Sequence, residues 1–170
     1  AMISLLDVLK DIPLISFDIS KTDCGVSTAT KLAELLSEET KFRAALNSVT
    51  LDSNGIFGKL PDIFGNGAEP DKFVADCDAF LAALKDSNIT TLSLQKTGIG
   101  PVALRKLATS LPAAVARLIL DENPLTGGTS STDFDKDITG VVNLCDTLKT
   151  SSVTELGLVN CRLGPGSMGK

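Results

Sequence analysis

Four cysteines, Cys24, Cys77, Cys145 and Cys161, are the residues in this chain best suited to nucleophilic, redox or soft-metal chemistry. Their separations of 53, 68 and 16 residues include no Cys-x-x-Cys pair and fit no zinc spacing. Histidine is absent, which removes Ser-His-Asp and Cys-His pairs and any His-ligated metal. Asp133-Phe134-Asp135-Lys136-Asp137 imitates the opening of a calcium loop, yet the sixth position is Ile138 rather than Gly and the twelfth is Leu144 rather than a bidentate Glu. Asp137 as the cap of a following helix accounts for the acidic run better. Asn88-Ile89-Thr90 is a glycosylation sequon only in a secreted protein, and Ile89 has the pattern of a buried residue. The cysteines therefore read as core thiols of a cytoplasmic protein. No catalytic residue, cofactor or metal is expected, and the chain is not expected to be an enzyme.

The 170 residues carry 16 basic and 21 acidic side chains, a net charge of −5, and no Trp or Tyr. A mildly acidic chain without a basic tract argues against nucleic acid and anionic membrane as partners. No apolar run approaches the roughly 18 residues of a membrane span, so no membrane insertion is expected. Leucine supplies 25 residues, and its spacing carries the information.

One frame recurs five times: an apolar residue, others at +3, +5 and +10, and Asn, Thr or Cys at +8. The copies are Leu14, Phe17, Ile19, Thr22 and Cys24; Leu46, Val49, Leu51, Asn54 and Ile56; Ile89, Leu92, Leu94, Thr97 and Ile99; Val115, Leu118, Leu120, Asn123 and Leu125; and Val153, Leu156, Leu158, Cys161 and Leu163. Alternating apolar residues describe a short strand with one buried face. A side chain that bonds neighbouring backbone suits the turn off that strand. Helical stripes follow: Val26, Ala29, Leu32, Ala33 and Leu36 after Gly25; Val74, Cys77, Phe80, Leu81 and Leu84; Val102, Leu104, Leu107, Ala108 and Leu111 after Gly100; and Ile138, Val141, Val142, Cys145 and Leu148.

The frame resembles the leucine-rich repeat, L-x-x-L-x-L-x-x-N/C-x-L, over nearly the whole chain, and a helix in each unit resembles its ribonuclease-inhibitor-like subclass. Related families include Ran GTPase-activating protein, tropomodulin, NOD-like receptors and the ribonuclease inhibitors. The resemblance implies an α/β solenoid: right-handed curved β-α repeats with a parallel concave sheet and helices outside. Residues 1–170 then form a single domain of about five repeats, with residues 1–13, including Ile3, Leu5, Leu6, Val8 and Leu9, as an N-terminal helix or cap. Ala1 before Met2 reads as a cloning remnant. Leu163-Gly164-Pro165-Gly166 repeats the helix-start signal of Ile99-Gly100-Pro101 just before the last residue, as in a fragment of a longer protein.

Insertions lengthen two units, near residues 57–71 and 126–137, and solenoid insertions map to loops on one face that is often a binding face. Ile63 and Phe64 make the first insertion the more interesting. Alternation turns Asp18, Asp52, Gln95, Arg117, Ile119, Asp121, Glu155 and Val159 outward on the strand face, with Glu122 adjacent. Their acidic members suggest a protein partner that presents a basic patch. The expected function is a non-catalytic protein–protein interaction scaffold. The alternatives are a regulator of a small GTPase, and a structural segment of a cytoskeletal or multidomain protein.

Overall fold

The computed structural model describes residues 2–37, 39–130 and 132–169; Ala1 and the side chain of Ile3 lie outside the described residues. Each frame forms one three-residue strand, at the same frame positions every time: β1 (Ser16–Asp18), β2 (Ser48–Thr50), β3 (Thr91–Ser93), β4 (Arg117–Ile119) and β5 (Glu155–Gly157). The strands pair in parallel in chain order, and the register aligns Phe17, Val49, Leu92, Leu118 and Leu156 across the sheet. Strands this short contain too few bonds to fix their own register. The apolar +3 and +5 side chains fix it, because a one-residue slip would turn every one of them to the solvent face.

Among the described residues the strands alternate with helices α1 (Met2–Leu9), α2 (Val26–Ser37), α3 (Lys41–Ala45), α4 (Asp78–Lys85), α5 (Pro101–Thr109), α6 (Thr139–Leu148) and α7 (Pro165–Met168). The stripe expected from Val74 is divided, since Val74–Cys77 forms a 3₁₀ turn before α4 begins. α2 packs on α1 and α4, and α5 packs on α6. One contiguous core runs from Leu6 to Cys161, and in it Phe17 and Phe42 meet edge to face with centroids 5.7 Å apart. One stripe is rotated from its expected face, and another loses one member. On α6 the buried residues are Gly140, Val141 and Leu144, while Val142 and Cys145 are exposed. The reason is Gly140: a Cβ there would lie 2.5 Å from the Pro101 carbonyl oxygen, so the glycine is the crossing point that brings α6 onto α5. On α5, Val102 faces solvent although Leu104, Leu107 and Ala108 are buried. In α1, Leu6 and Leu9 are buried, whereas Leu5 and Val8 are exposed.

Where the chain leaves each strand, buried backbone groups need partners. Asn54, fully buried, supplies four. Its Nδ2 donates to the carbonyls of Ile19 (2.8 Å) and Leu51 (3.0 Å), and its Oδ1 accepts from the N–H groups of Thr22 (3.2 Å) and Cys24 (2.9 Å). Asn123 does the same one pair of units later, donating to Leu94 (2.7 Å) and Leu120 (2.9 Å) and accepting from Thr97 (2.9 Å) and Ile99 (3.0 Å). Each asparagine thus ties its own turn to that of the preceding unit. Thr22 and Thr97 return their hydroxyls to the carbonyls of Ile19 (2.7 Å) and Leu94 (2.9 Å). Replacing Asn123 by Leu keeps the branched shape but strands the buried N–H groups of Thr97 and Ile99 and leaves the Leu94 and Leu120 carbonyls with only the Thr97 hydroxyl and the Cys161 thiol as side-chain donors. A loss of ~3 kcal/mol or more in urea unfolding is expected. Thr22→Val, at the exposed edge of the ladder, should lose under ~1 kcal/mol.

Candidate interaction surface

The residues of the expected acidic row lie along one face of the sheet, but the structure commits several of them internally. Asp52 Oδ1, half-buried, accepts the Ser93 hydroxyl (2.7 Å) and the Gln95 N–H (2.9 Å) of the next unit. Asp121 Oδ1 accepts the Val159 N–H (2.8 Å), the corresponding bond two units on. Gln95 Nε2 donates to Glu122 Oε1 (2.6 Å), and Arg117 pairs with Glu155 across β4 and β5 (3.3 Å). Asp18 accepts the N–H and hydroxyl of Ser20, which hold its carboxyl below the usual range. Ile119 is half-covered, lying over Gly157, where a Cβ would come within 3.0 Å of its Cδ1. Val159 remains 62 % exposed. Asp52 and Asp121 thus both bridge strand ends, a role that alternation alone conceals.

The insertions are anchored rather than free. In the first, the N–H of Phe57 bonds Thr97 O (3.0 Å), and Gly58 lies against Gly98 so closely that a Cβ on Gly98 would be 2.6 Å from the Gly58 Cα. Gly98 has φ +81°, which only glycine adopts readily, so the junction needs it twice over. Lys59 and Glu69 then form an antiparallel bridge. Beyond it, Asp62 Oδ1 accepts the N–H groups of Phe64 (2.9 Å) and Asn66 (2.8 Å), fixing a tip on which Ile63 and Phe64 are 93 % and 80 % exposed.

Each insertion ends on an aspartate with positive φ, Asp71 (62°) and Asp135 (52°). Asp71 accepts the N–H groups of Gly100 (2.9 Å), Val102 (2.8 Å) and Ala103 (2.9 Å) at the start of α5. Asp135 accepts those of Gly164 (3.0 Å), Gly166 (2.8 Å) and Ser167 (3.3 Å) at the start of α7, at the same separation of 29 residues from its Gly-Pro. The calcium-like run is thus dispersed: Asp133 pairs with Lys136 (2.7 Å), Asp135 caps α7, and Asp137 accepts the N–H of Thr139 (2.9 Å), the first residue of α6. Among the described residues no three His, Cys, Asp or Glu side chains gather as metal ligands would. Two Gly-Pro pairs, each preceded at equal distance by an insertion aspartate, were the sequence signal for this device.

Between the two insertions lies a cleft of ≈ 340 Å³ along the turns that leave the strands, with Lys59, Lys96, Glu122 and Arg162 on its walls. The +7 residue of every frame (Lys21, Ser53, Lys96, Glu122 and Asn160) takes φ between 51° and 57°. The left-handed turn therefore sets the direction of Lys96 and Glu122 at the cleft.

Three thiols are inert by placement. Burial pushes Cys77 up to about 12, and its Sγ–H donates to Ile56 O (3.3 Å). Cys161 is pushed up to about 11 by burial and donates to Leu120 O (3.2 Å). Cys24 is buried beside Thr22, whereas Cys145, expected in the core, is exposed on α6.

Asp71→Ala should cost about 1–2 kcal/mol of stability through the lost α5 cap, with Asp71→Asn intermediate. An aromatic disulfide reagent should titrate one thiol rapidly in the native protein, lost in Cys145→Ser, and all four in denaturant. Because the folded state raises the pKa of Cys77, its contribution is fully present below pH 9 and is lost as pH rises toward about 12. Alkaline unfolding followed by circular dichroism should shift upward in Cys77→Ala relative to other destabilised variants. No family model matches the chain and no curated protein matches it, so the use of this surface must be argued from its own residues.

Proposed function

We propose that the chain is a non-catalytic protein-binding scaffold of the leucine-rich-repeat kind, closest in pattern to the ribonuclease-inhibitor-like subclass. One observation carries this reading. Five copies of one sequence frame form five strands in unbroken parallel register, with α1 and α4 packed on α2 and α5 packed on α6. On the solenoid reading, that sheet is the concave wall, and its polar side chains are fixed in place by bonds between adjacent units. A surface fixed before binding loses little side-chain entropy on association.

Asp52 and Asp121 are held by neutral donors of the next unit and Asp18 by Ser20, so all three carboxylates keep their charge in fixed orientations, beside the exposed Val159 and the uncovered part of Ile119. The four free cysteines support a cytoplasmic setting. No helix among the described residues is long and apolar enough to cross a membrane.

The test is quantitative affinity capture from cell extract by the immobilised chain, compared with an Asp18→Lys/Val159→Lys variant that melts at the same temperature. A protein bound saturably by the parent and recovered roughly tenfold less by the variant, or by a cleft variant, supports the scaffold reading. Absence of any saturably bound protein from matched extracts sinks it.

A further inference from the structure

The geometry points to the cleft between the two insertions as the docking site for an acidic peptide segment of a partner protein, a proposal that rests on the protein-binding reading above. The chain as a whole carries −5, yet this cleft gathers Lys59, Lys96 and Arg162 against the single carboxylate of Glu122. That carboxylate is engaged by Gln95 Nε2 at 2.6 Å. Lys59 has a distant partner in Glu69 (3.5 Å), and among the described residues neither Lys96 nor Arg162 makes an ion pair. Elsewhere on the described surface Lys31, Lys72, Lys106, Lys136 and Lys149 are paired with neighbouring acids, and the unpaired Lys10, Lys21, Lys41 and Lys85 do not line this cleft. Uncompensated cations held together in a concavity of an acidic protein are a place where a carboxylate binds with complementary charge. An arginine among them can hold it through two parallel bonds.

A peptide, rather than a small free anion, fits the rest of the site. The turn between Pro61 and Gly65, both on the cleft wall, carries Ile63 and Phe64 into solvent. Asp62 and the Lys59–Glu69 bridge hold that turn in place, so the apolar pair is presented at little ordering cost. An aromatic ring exposed on a rigid turn is the type of group that anchors an interface. A ligand that satisfies both features carries a carboxylate for Lys96 and Arg162 and an apolar side chain for Ile63 and Phe64. Lys96 and Arg162 come from the turns of two frames, and Lys59 and the apolar pair from an insertion, so all three elements must be folded together for the site to exist.

The test is fluorescence anisotropy of the full chain with a labelled peptide of alternating Glu and Leu, against Gln-Leu and Lys-Leu peptides of the same length. Saturable binding of the Glu-Leu peptide is expected, at least roughly tenfold weaker for Gln-Leu and weakened further by salt. Lys96→Glu/Arg162→Glu should abolish it, the neutral Lys96→Gln/Arg162→Gln pair should reduce it, and Phe64→Ser should weaken it without altering the salt dependence. Lys85→Glu, on the exposed side of α4, should leave it unchanged, and thermal melts should match across the set. No saturable binding, equal binding of Gln-Leu, or an equal loss in Lys85→Glu overturns the proposal. Loss in Val159→Lys with the cleft variants unaffected also overturns it, by moving the site to the strand face, while leaving the scaffold reading intact.

Discussion

Two buried asparagine side chains hold the turns of this molecule together. Three-residue strands form few bonds of their own, and the turns that leave them would bury unpaired N–H and carbonyl groups between adjacent units. Asn54 and Asn123 each offer two donors and two acceptor lone pairs in the geometry those groups require, and all four are used. In a site closed to water, an unmet bond there costs far more than a met one contributes. Asparagine is therefore a structural necessity at these two positions, while threonine suffices where only one carbonyl must be met.

The asparagines also expose an alternation of units. The second and fourth reach backward through Asn54 and Asn123, and forward through Asp52, Asp71, Asp121 and Asp135. The first, third and fifth supply mainly backbone to these side chains. Cys161 partly breaks the pattern by donating back to Leu120, the same carbonyl that Asn123 Nδ2 contacts in its own turn. Insertions occur in the two units that reach forward, and their closing aspartates cap the next Gly-Pro helix start. The added length thus serves the connection between units before any partner is considered.

This economy alters where recognition can occur. Carboxylates on the strand face that look available for a partner, Asp52 and Asp121, are held by bonds to the next unit, which fixes the orientation of their charge. At the turns and the first insertion, unpaired cations, Lys96 and Arg162, lie beside the most exposed apolar side chains of the described residues, Ile63 and Phe64. The sheet is the support that sets their positions.

Five strands and the alignment of their frames were legible in the residues, because alternation of Phe17, Val49, Leu92, Leu118 and Leu156 with polar neighbours permits only one buried face; that each strand stops after three residues was not. The insertions and most of the helical stripes were legible for the same reason: periodicity reports which side of an element meets apolar surroundings. Periodicity carries no information about what a polar side chain touches. That is why Asp52 and Asp121 read as free and proved bonded, and why Asp135 resembled a calcium ligand and proved a helix cap 29 residues from its target. The rotated face of α6 follows the same logic, since the close approach at Gly140 depends on where α5 lies. Hydrophobic spacing along the chain determined the elements and their order; contacts between residues distant in sequence, set only once the sheet had assembled, decided which polar groups remained free to bind.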